Sequence, residues 1–224
     1  MGHEIEIAAL SRGHKIVATF NDDKEWSEKE IPECDVVIDF STPRTAPIIV
    51  NKCFDLDLPI VSGTTGWNEQ LITAKNRAAY ESKSFFYASN FSIGVNVFFS
   101  INSKLAALLC PLNSYEGSIE EIHHIHKLDA PSGTAISLAE GIIDQCKKYE
   151  AWSMDEKDKN KINITSHRVG EVPGTHLVKW NSEFDTIELK HIAHNRKGFA
   201  LGAILAAEWL PGHKGSFNMA DLLA

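Results

Sequence analysis

The run Asp35-Val-Val-Ile-Asp-Phe40 is mostly apolar and leads directly into Ser41-Thr-Pro43, a turn rich in hydroxyl groups. Similar runs lie at His14–Phe20, Leu58–Ser62 and Ser84–Ala88, and the stretches between them have helical patterns. Apolar runs that alternate with helices are typical of a parallel sheet buried on both faces. We therefore predict an α/β, nucleotide-binding-like first part of the chain.

The second part of the chain has a different pattern. Long helices are predicted at 93–109 and 134–149, with a strand at 118–127 between them. Three later segments alternate apolar and polar side chains, which indicates a half-exposed and antiparallel sheet; they are Ile162–Val169, Thr175–Asn181 and Asp185–His194. An apolar helix at Gly198–Leu210 comes last. This pattern predicts a separate α+β part.

The beginning of the chain is unusual for an α/β domain. Helices are predicted at Gly2–Arg12, after Pro43 and from Asn68 to about Ser82. Domains of this kind normally begin with a strand, so a strand and a turn are expected upstream of Met1. The alternative is a fold that begins with a helix and lacks that strand.

Composition excludes several classes of protein. Hydrophobic residues at 43% and charged residues at 23% argue against a disordered chain. The net charge of −8 argues against a nucleic-acid partner. The four cysteines are scattered without a Cys-x-x-Cys pair, and no signal-like stretch opens the chain, so a reducing cytoplasm is expected. No apolar run reaches the roughly 20 residues of a membrane span.

The densest chemical segment is Glu120-Glu-Ile-His-His-Ile-His-Lys-Leu-Asp-Ala-Pro-Ser-Gly-Thr-Ala135. Histidine titrates near neutral pH and can carry a proton to a substrate. The Pro-Ser-Gly-Thr turn opens a predicted helix, and a helix N-terminus binds anions. With Lys127 nearby, the segment predicts an anion cradle beside a proton donor.

Other interpretations of this segment remain open. His124 and His126 would share one face of a strand, as metal ligands do, but two ligands are too few and no metal is predicted. His123, Ile125 and Lys127 would share the opposite face, which also fits a solvated sheet edge. The turn before the helix also fits a simple helix cap.

A second group of residues follows the predicted parallel strands. It comprises Phe40–Pro43, Gly63–Trp67 and Ala88–Ser92. Ligands of open α/β sheets bind at the carboxyl ends of strands. Ordinary turn chemistry explains each loop taken singly, but the three loops together predict a binding crevice.

At these residues the sequence resembles the dihydrodipicolinate reductase family. The motifs that carry the resemblance are Glu121–Ala135, Val61–Trp67, Ser89–Asn96 and Arg168–His176, followed by Ala193–Ala203. They occur in the order of the family and span nearly the whole chain. The first motif is the most specific of them.

The resemblance implies a fold of two domains. A Rossmann-type dinucleotide-binding domain with a parallel sheet is expected at 1–92, lacking its first strand and completed by about 200–224. An α+β substrate-binding and tetramerisation domain with an open mixed sheet is expected at 93–199.

The implied reaction belongs to lysine and diaminopimelate biosynthesis. NADH or NADPH reduces 4-hydroxy-tetrahydrodipicolinate, through its dehydrated cyclic imine, to tetrahydrodipicolinate. The protein is expected to be a cytoplasmic homotetramer. The alternatives are an impaired family member that acts as a ligand-binding scaffold and, from the histidines alone, a zinc hydrolase.

By the same resemblance, His123 is the proton donor and Lys127 holds a substrate carboxylate. His124, Gly133 and Thr134 are expected to bind substrate. Because His123 and His124 would point in opposite directions on a regular strand, the strand must end or bulge there. The positions matching the family's cofactor site are Gly2, Asn21, Asp22, Phe40, Gly63, Thr64, Thr65, Ala88, Ser89, Asn90 and Phe91.

The family's glycine-rich phosphate turn is represented only by its final glycine, Gly2. Roughly ten to twelve residues of strand and turn are absent, and a chain without them is expected to bind the dinucleotide poorly. Asn21-Asp22-Asp23 offers carboxylates for an adenosine ribose, so NADH is favoured. Lys24 leaves NADPH use open.

Overall fold

The structure is a computed structural model that describes residues 1–20, 31–155 and 159–224. The chain divides into two compact units, one formed by Met1–Ile93 with Lys197–Ala224 and the other by Gly94–Arg196. The helices are α1 (Gly2–Ser11), α2 (Ala46–Asp55), α3 (Asn68–Tyr80), α4 (Ile93–Leu109), α5 (Gly133–Ile143), α6 (Lys197–Trp209) and α7 (Met219–Leu222). The strands are β1 (Val37–Asp39), β2 (Ile60–Ser62), β3 (Ser84–Tyr87), β4 (Glu116–His123), β5 (Ala151–Ser153), β6 (Lys161–Arg168), β7 (Thr175–Asn181), β8 (Thr186–Ile192) and β9 (Gly215–Phe217). No helix within the described ranges is both long and apolar enough to cross a membrane.

The first unit contains a four-stranded sheet in the order β1-β2-β3-β9, and each neighbouring pair is parallel. Neighbouring strand residues point to opposite faces, so Ile60 and Phe85 pack into one core while Val61 and Phe86 pack into another. This burial on both faces explains the uninterrupted apolar runs. The predicted parallel α/β architecture is confirmed.

Two parts of the first unit differ from the prediction. His14–Phe20 does not form a strand, because a strand needs a hydrogen-bonding neighbour and no described strand pairs with it. The short strand β9 and the helix α7 were not predicted. β9 has only 3 residues, too few for a periodic pattern, and it forms by parallel pairing of Ser84 with Gly215 and of Phe86 with Phe217.

The second unit contains a five-stranded sheet in the order β5-β6-β4-β7-β8. The antiparallel prediction is right for β4-β7-β8 and wrong for β6, which pairs parallel with β4. The short strand β5, which was not predicted, pairs parallel with β6. Parallel neighbours need a long crossover, and the segment between β4 and β6 supplies it with α5. Alternation of apolar and polar residues reports the buried face and not the strand direction. The sheet is therefore mixed, as the family resemblance implies.

One face of this mixed sheet packs against α4 and α5. Ile119, Ile164 and Val178 on the strands share one core with Phe98 and Leu138 on the helices. The opposite face carries a shallow depression lined by Ser118, Glu120, Asn163, Thr165, Leu177 and Lys179. The central position of β4 in this sheet places its last residues at the candidate site.

The second unit also contains a disulfide between Cys110 and Cys146, which are 36 residues apart in sequence. This disulfide was not predicted, since the scattered cysteines led to the expectation of a reducing compartment. Cys110 follows α4 and Cys146 follows α5, and the packing of the two helices brings their Cα atoms to 5.4 Å. This proximity is a product of tertiary packing and has no signature in the spacing.

Candidate active site

Three predicted cofactor loops lie at the carboxyl edge of the first unit's sheet. Phe40, Gly63 and Ala88 directly follow β1, β2 and β3. The Gly63 N–H donates to the carbonyl of Asp39 (2.9 Å), and the Ala88 N–H donates to the carbonyl of Ser62 (3.3 Å). A Cβ on Gly63 would overlap the ring of Phe40, so a side chain at position 63 would have to displace that ring.

Asp39, the last residue of β1, anchors these loops through hydrogen bonds. It was not identified as a site residue from the sequence. Its carboxylate is 3% exposed and accepts hydrogen bonds from the Ser62 hydroxyl (2.7 Å), the Thr64 hydroxyl (3.0 Å) and the Ser41 N–H (3.1 Å). A buried carboxylate must be satisfied by donors, and here the donors come from two neighbouring loops. The signal in the sequence is a carboxylate inside an otherwise apolar run.

The remaining predicted cofactor residues of this unit have different surroundings. The Phe91 ring lies 5.4 Å from the Phe40 ring, centroid to centroid. The Asn90 side chain accepts a hydrogen bond from the Ser92 N–H, while Thr65 and Ser89 are exposed. Gly2 is exposed as the first residue of α1, and a Cβ there would contact nothing within 4 Å. The predicted positions Asn21 and Asp22 lie outside the described residues.

In the second unit, β4 ends at His123, as the geometry of adjacent histidines required. His124 then begins a turn in which its carbonyl accepts a hydrogen bond from the Lys127 N–H (3.2 Å). His123 is only 7% exposed. The alternative of a solvated sheet edge is therefore wrong, since β4 is the central strand and this side chain is buried.

Glu121 lies beneath His123 and is completely buried. Its two oxygens each accept from the Ser132 N–H (3.1 Å), and Oε1 also accepts from the Ser166 hydroxyl (2.8 Å). The guanidinium of Arg168 donates to Oε1 from both terminal nitrogens at 3.3 Å. The Nδ1 atom of His123 lies 3.4 Å from Oε2. One carboxylate therefore contacts the predicted proton donor and the residue that caps α5.

Arg168 also holds the loop that carries Lys127. Its Nη2 donates to the carbonyl of Asp129 (2.6 Å) and its Nε donates to the carbonyl of Lys127 (3.3 Å). The ammonium of Lys127 lies 2.8 Å from each carboxylate oxygen of Asp129. The predicted substrate-binding cation is thus already paired, and a substrate carboxylate would share or replace Asp129.

The predicted anion cradle is the N-terminus of α5. Ser132 caps the helix, and its side chain accepts from the Ala135 N–H (3.2 Å). Gly133 is exposed and a Cβ there would contact nothing within 4 Å, while Thr134 is half-buried. The capping interpretation and the cradle interpretation are compatible, because the cap uses the Ser132 hydroxyl and leaves space in front of Gly133.

Burial sets the protonation states of this cluster. Burial lowers the pKa of His123 below its usual value; Glu121 opposes this shift, while Lys127 and Arg168 add to it. Burial alone would raise the pKa of Glu121, but hydrogen bonds from Ser132 and Ser166, together with His123, hold that pKa below its usual value. Burial, followed by the charge of His123, lowers the pKa of His176 to about 4.

His176 joins the cluster from β7. Its Nε2 lies 3.1 Å from the Ser132 hydroxyl, and its ring centroid lies 5.1 Å from that of His123. Glu121, His123 and His176 have ligand atoms within 4.8 Å of one another. The Glu121 carboxylate is already bonded to a guanidinium, however, so a cation would compete with a fixed positive charge. The chemistry of this cluster therefore favours proton transfer over metal binding.

His124 and His126, the two histidines considered above as metal ligands, do not belong to this cluster. His124 and His126 have ring centroids 6.0 Å apart, and His126 lies 3.3 Å from a carboxylate oxygen of Glu171 at the surface. His124 has a buried Nδ1 with no hydrogen-bond partner among the described residues.

Glu121, Arg168 and His176 were missed by the sequence analysis as functional residues. Alternation along β4 places Glu121 on the same face as His123, and this spacing was a usable signal. The register adds that Glu121 faces His176 on β7 and that His123 faces Arg168 on β6. Strand pairing between distant segments cannot be read from one sequence.

Comparison with known proteins identifies relatives of this chain. A family model described as "Dihydrodipicolinate reductase, N-terminus" matches residues 1–91, and one described as "Dihydrodipicolinate reductase, C-terminus" matches residues 94–223. The 4-hydroxy-tetrahydrodipicolinate reductase of Christiangramia forsetii is 48% identical over 224 residues, which are 100% of this chain and 94% of that protein. The reductase of the same name from Neisseria meningitidis is 35% identical over 201 residues, covering 86% of this chain and 74% of that protein.

A solved structure shares the fold. It is described as dipicolinate-bound dihydrodipicolinate reductase from Paenisporosarcina sp. TG-14, with a TM-score of 0.78 and 23% identity, and the match covers 97% of this chain and 92% of that one. The resemblance drawn from the sequence motifs is confirmed. This chain belongs to the dihydrodipicolinate reductase family and is an oxidoreductase of lysine and diaminopimelate biosynthesis that uses a nicotinamide dinucleotide.

Proposed function

We propose that His123 donates the proton and Lys127 binds a substrate carboxylate when this chain reduces 4-hydroxy-tetrahydrodipicolinate. Reduction of the dehydrated cyclic imine adds a hydride to carbon and leaves an enamine that must take up a proton. The observation that carries the proposal is a shared network of hydrogen bonds together with one contact of 3.4 Å, between Glu121 Oε2 and His123 Nδ1. Glu121 and Arg168 connect His123, the Lys127 loop and the N-terminus of α5.

Substrate binding uses the charges of the second unit. The substrate carries two carboxylates, and the ammonium of Lys127 and the N-terminus of α5 at Gly133 and Thr134 offer complementary groups. His124 is half-buried and directly follows His123, which supports a further substrate contact. Lys127 exchanges its contact with Asp129 for a contact with the substrate.

The state of His123 before substrate arrives follows from its surroundings. Because burial lowers its pKa, the imidazole is mostly neutral at pH 7 in the free chain. A doubly negative ring beside it favours the charged imidazolium. Substrate binding therefore favours protonation of His123, which then donates this proton to the enamine.

The assignment of His123 is tested by His123→Ala. We expect kcat to fall about 10²- to 10⁴-fold because the positioned acid is lost, while the KM for substrate changes little. Steady-state kinetics with the purified variant measure both values. An unchanged kcat would remove His123 from the donor role, and a change confined to KM would make it a binding residue.

The first unit supplies residues that fit a dinucleotide. Those expected to line the nicotinamide side are Gly63, Thr65, Ala88, Ser89, Asn90 and Phe91, and Phe40 and Thr64 are expected at the same cofactor site. The space in front of Gly2 at the N-terminus of α1 suits the pyrophosphate. When bound, the reduced nicotinamide supplies the hydride.

NADH is the preferred form of the cofactor in this proposal. The support is the sequence Asn21-Asp22-Asp23, whose carboxylates suit a ribose hydroxyl better than a phosphate. We expect kcat/KM to be several-fold higher with NADH than with NADPH. Kinetics with each nucleotide measure the ratio, and a higher value with NADPH would reverse the preference.

The protein is proposed to act as a cytoplasmic homotetramer. The half-exposed face of the mixed sheet supports self-association, because it presents the half-buried Leu177 among polar and charged side chains that could pair with a second copy. The cytoplasm supplies the reduced nucleotide that the reaction consumes. Sedimentation of the purified protein and fractionation of cells test the two statements, and a monomer or an extracytoplasmic protein would contradict them.

A further inference from the structure

We propose that the buried pair Glu121–Arg168 is the positioning element of the reaction: it holds the proton donor His123 and the two carboxylate-binding groups in one rigid arrangement. This inference rests on the proposed function and assigns two further residues to it. Neither residue needs to touch substrate. They act through His123, through the loop of Lys127 and through the first residues of α5.

The contacts of Glu121 reach three separate elements. Its carboxylate lies on β4, accepts from Ser132 at the start of α5 and accepts from Ser166 on β6. The Nδ1 of His123 lies 3.4 Å from Oε2. A carboxylate on the Nδ1 side of an imidazole leaves the Nε2 side to face a ligand, which is the orientation that a proton donor needs.

The Nε2 atom of His123 lies next to Gly174. A Cβ on Gly174 would approach His123 Nε2 to 3.1 Å, and Gly174 has a φ of +158°, where side chains are rarely found. The absence of a side chain at this position leaves space beside the atom that would carry the transferred proton. The ring therefore has the Glu121 carboxylate beside Nδ1 and a position without a side chain beside Nε2.

The contacts of Arg168 reach the substrate-binding loop. Its guanidinium bonds to Glu121 and to the backbone carbonyls of Lys127 and Asp129. These bonds fix the backbone of the loop and leave the Lys127 ammonium free to change partners. The side chain of Arg168 is 21% exposed and that of Glu121 is 0% exposed, so the ion pair is sheltered from solvent.

Charges around His123 come from each element packed against it. Glu121 and Asp129 favour the imidazolium, while Lys127 and Arg168 disfavour it. His176 on β7 faces its ring. Glu121 is the buried anion of this set and the nearest to Nδ1, so removing its charge should make His123 harder to protonate.

The test is Glu121→Gln, which keeps the shape of the side chain and an acceptor for Ser132. We expect kcat at pH 8 to fall about 10-fold, and the alkaline limb of kcat/KM to move to lower pH by about one unit. The sign follows because His123 acts when protonated and the variant lowers its pKa. The pH–rate profile is the decisive readout, since a loss of stability alone would not move it.

Two other variants complete the experiment. Glu140→Gln makes the same chemical change at an exposed position of α5 and should leave the profile unchanged. Glu121→Asp retains the charge on a shorter side chain, and it should restore the position of the alkaline limb even where kcat remains low. Circular dichroism at each pH confirms that the variants are folded.

The outcomes separate this inference from the proposed function. If His123→Ala lowers kcat but both Glu121 variants keep the wild-type pH profile, the positioning role is wrong and the proton donor stands. If His123→Ala leaves kcat unchanged, the proton donor is wrong. If Glu121→Gln does not fold, Glu121→Asp decides through kcat: a lowered kcat with the wild-type alkaline limb would support the inference, and either a shifted limb or an unchanged kcat would overturn it.

Discussion

The two units each bury one carboxylate beside their candidate site, and the two carboxylates have different partners. Asp39 in the first unit is held by two hydroxyls and one backbone N–H, all of them neutral. Glu121 in the second unit accepts hydrogen bonds from an arginine, from one backbone N–H that is shared by its two oxygens, and from one hydroxyl. Two histidines also lie within 4 Å of its carboxylate. Neutral donors fix the shape of a loop, whereas titratable and charged partners also set where a proton resides.

Lowering the pH should give the largest measurable difference between the surroundings of Asp39 and those of Glu121. His176 has a pKa of about 4 in the folded chain, against 6.5 for an ordinary histidine. Between these two pH values, the unfolded chain binds a proton at this histidine and the folded chain does not. The stability that depends on neutral His176 is complete above pH 6.5 and is lost as pH falls. We expect the free energy of unfolding of the second unit to drop by about 2 kcal/mol between pH 7 and pH 5.

Hydrogen exchange measured on separate peptides would locate that loss. Peptides from β4 and β7 should lose protection at pH 5, while peptides from β1 to β3 should keep it. His176→Gln should flatten the dependence. Equal losses in both units, or an unchanged slope in the variant, would break the contrast between the carboxylates.

Replacement of the first carboxylate should have a smaller effect of another kind. Asp39→Asn keeps one acceptor and turns the other oxygen into a donor that faces the hydroxyls of Ser62 and Thr64. We expect a loss of about 1 kcal/mol in stability and a several-fold higher KM for the nucleotide, because the loop at Gly63 loses its anchor. The pH–rate profile should not move.

Kinetics across pH for Asp39→Asn and Glu121→Gln side by side sharpen the comparison. A shifted profile in the Asp39 variant would show that both carboxylates act on the proton. An unchanged KM for the nucleotide would separate Asp39 from cofactor binding.

Much of the fold was predictable because local patterns determine it. The apolar runs became β1, β2 and β3, and the predicted helix at 93–109 matches α4 at both ends. The failures have physical causes. His14–Phe20 lacks a described partner strand, β9 forms by pairing with the distant β3, and the direction of β6 depends on a crossover.

The candidate site was predictable only in part. The resemblance identified the residues expected to touch ligands, such as His123 and Gly63. The side chains that hold those residues, Glu121, Arg168 and Asp39, were missed because their partners come from other strands and loops. Burial of a charge is a property of the assembled sheet, and a single sequence does not show which charges become buried.

The sheet of the first unit is assembled from two distant parts of the chain, since β1 to β3 precede the second unit and β9 follows it. On the ribosome, residues 94–196 emerge as one continuous piece before β9 is made. Until then the outer edge of β3 stays without its neighbour, and such an open edge invites pairing with other chains. A nascent chain of this protein therefore has an unpaired strand edge in the first unit during the time that the second unit is being translated.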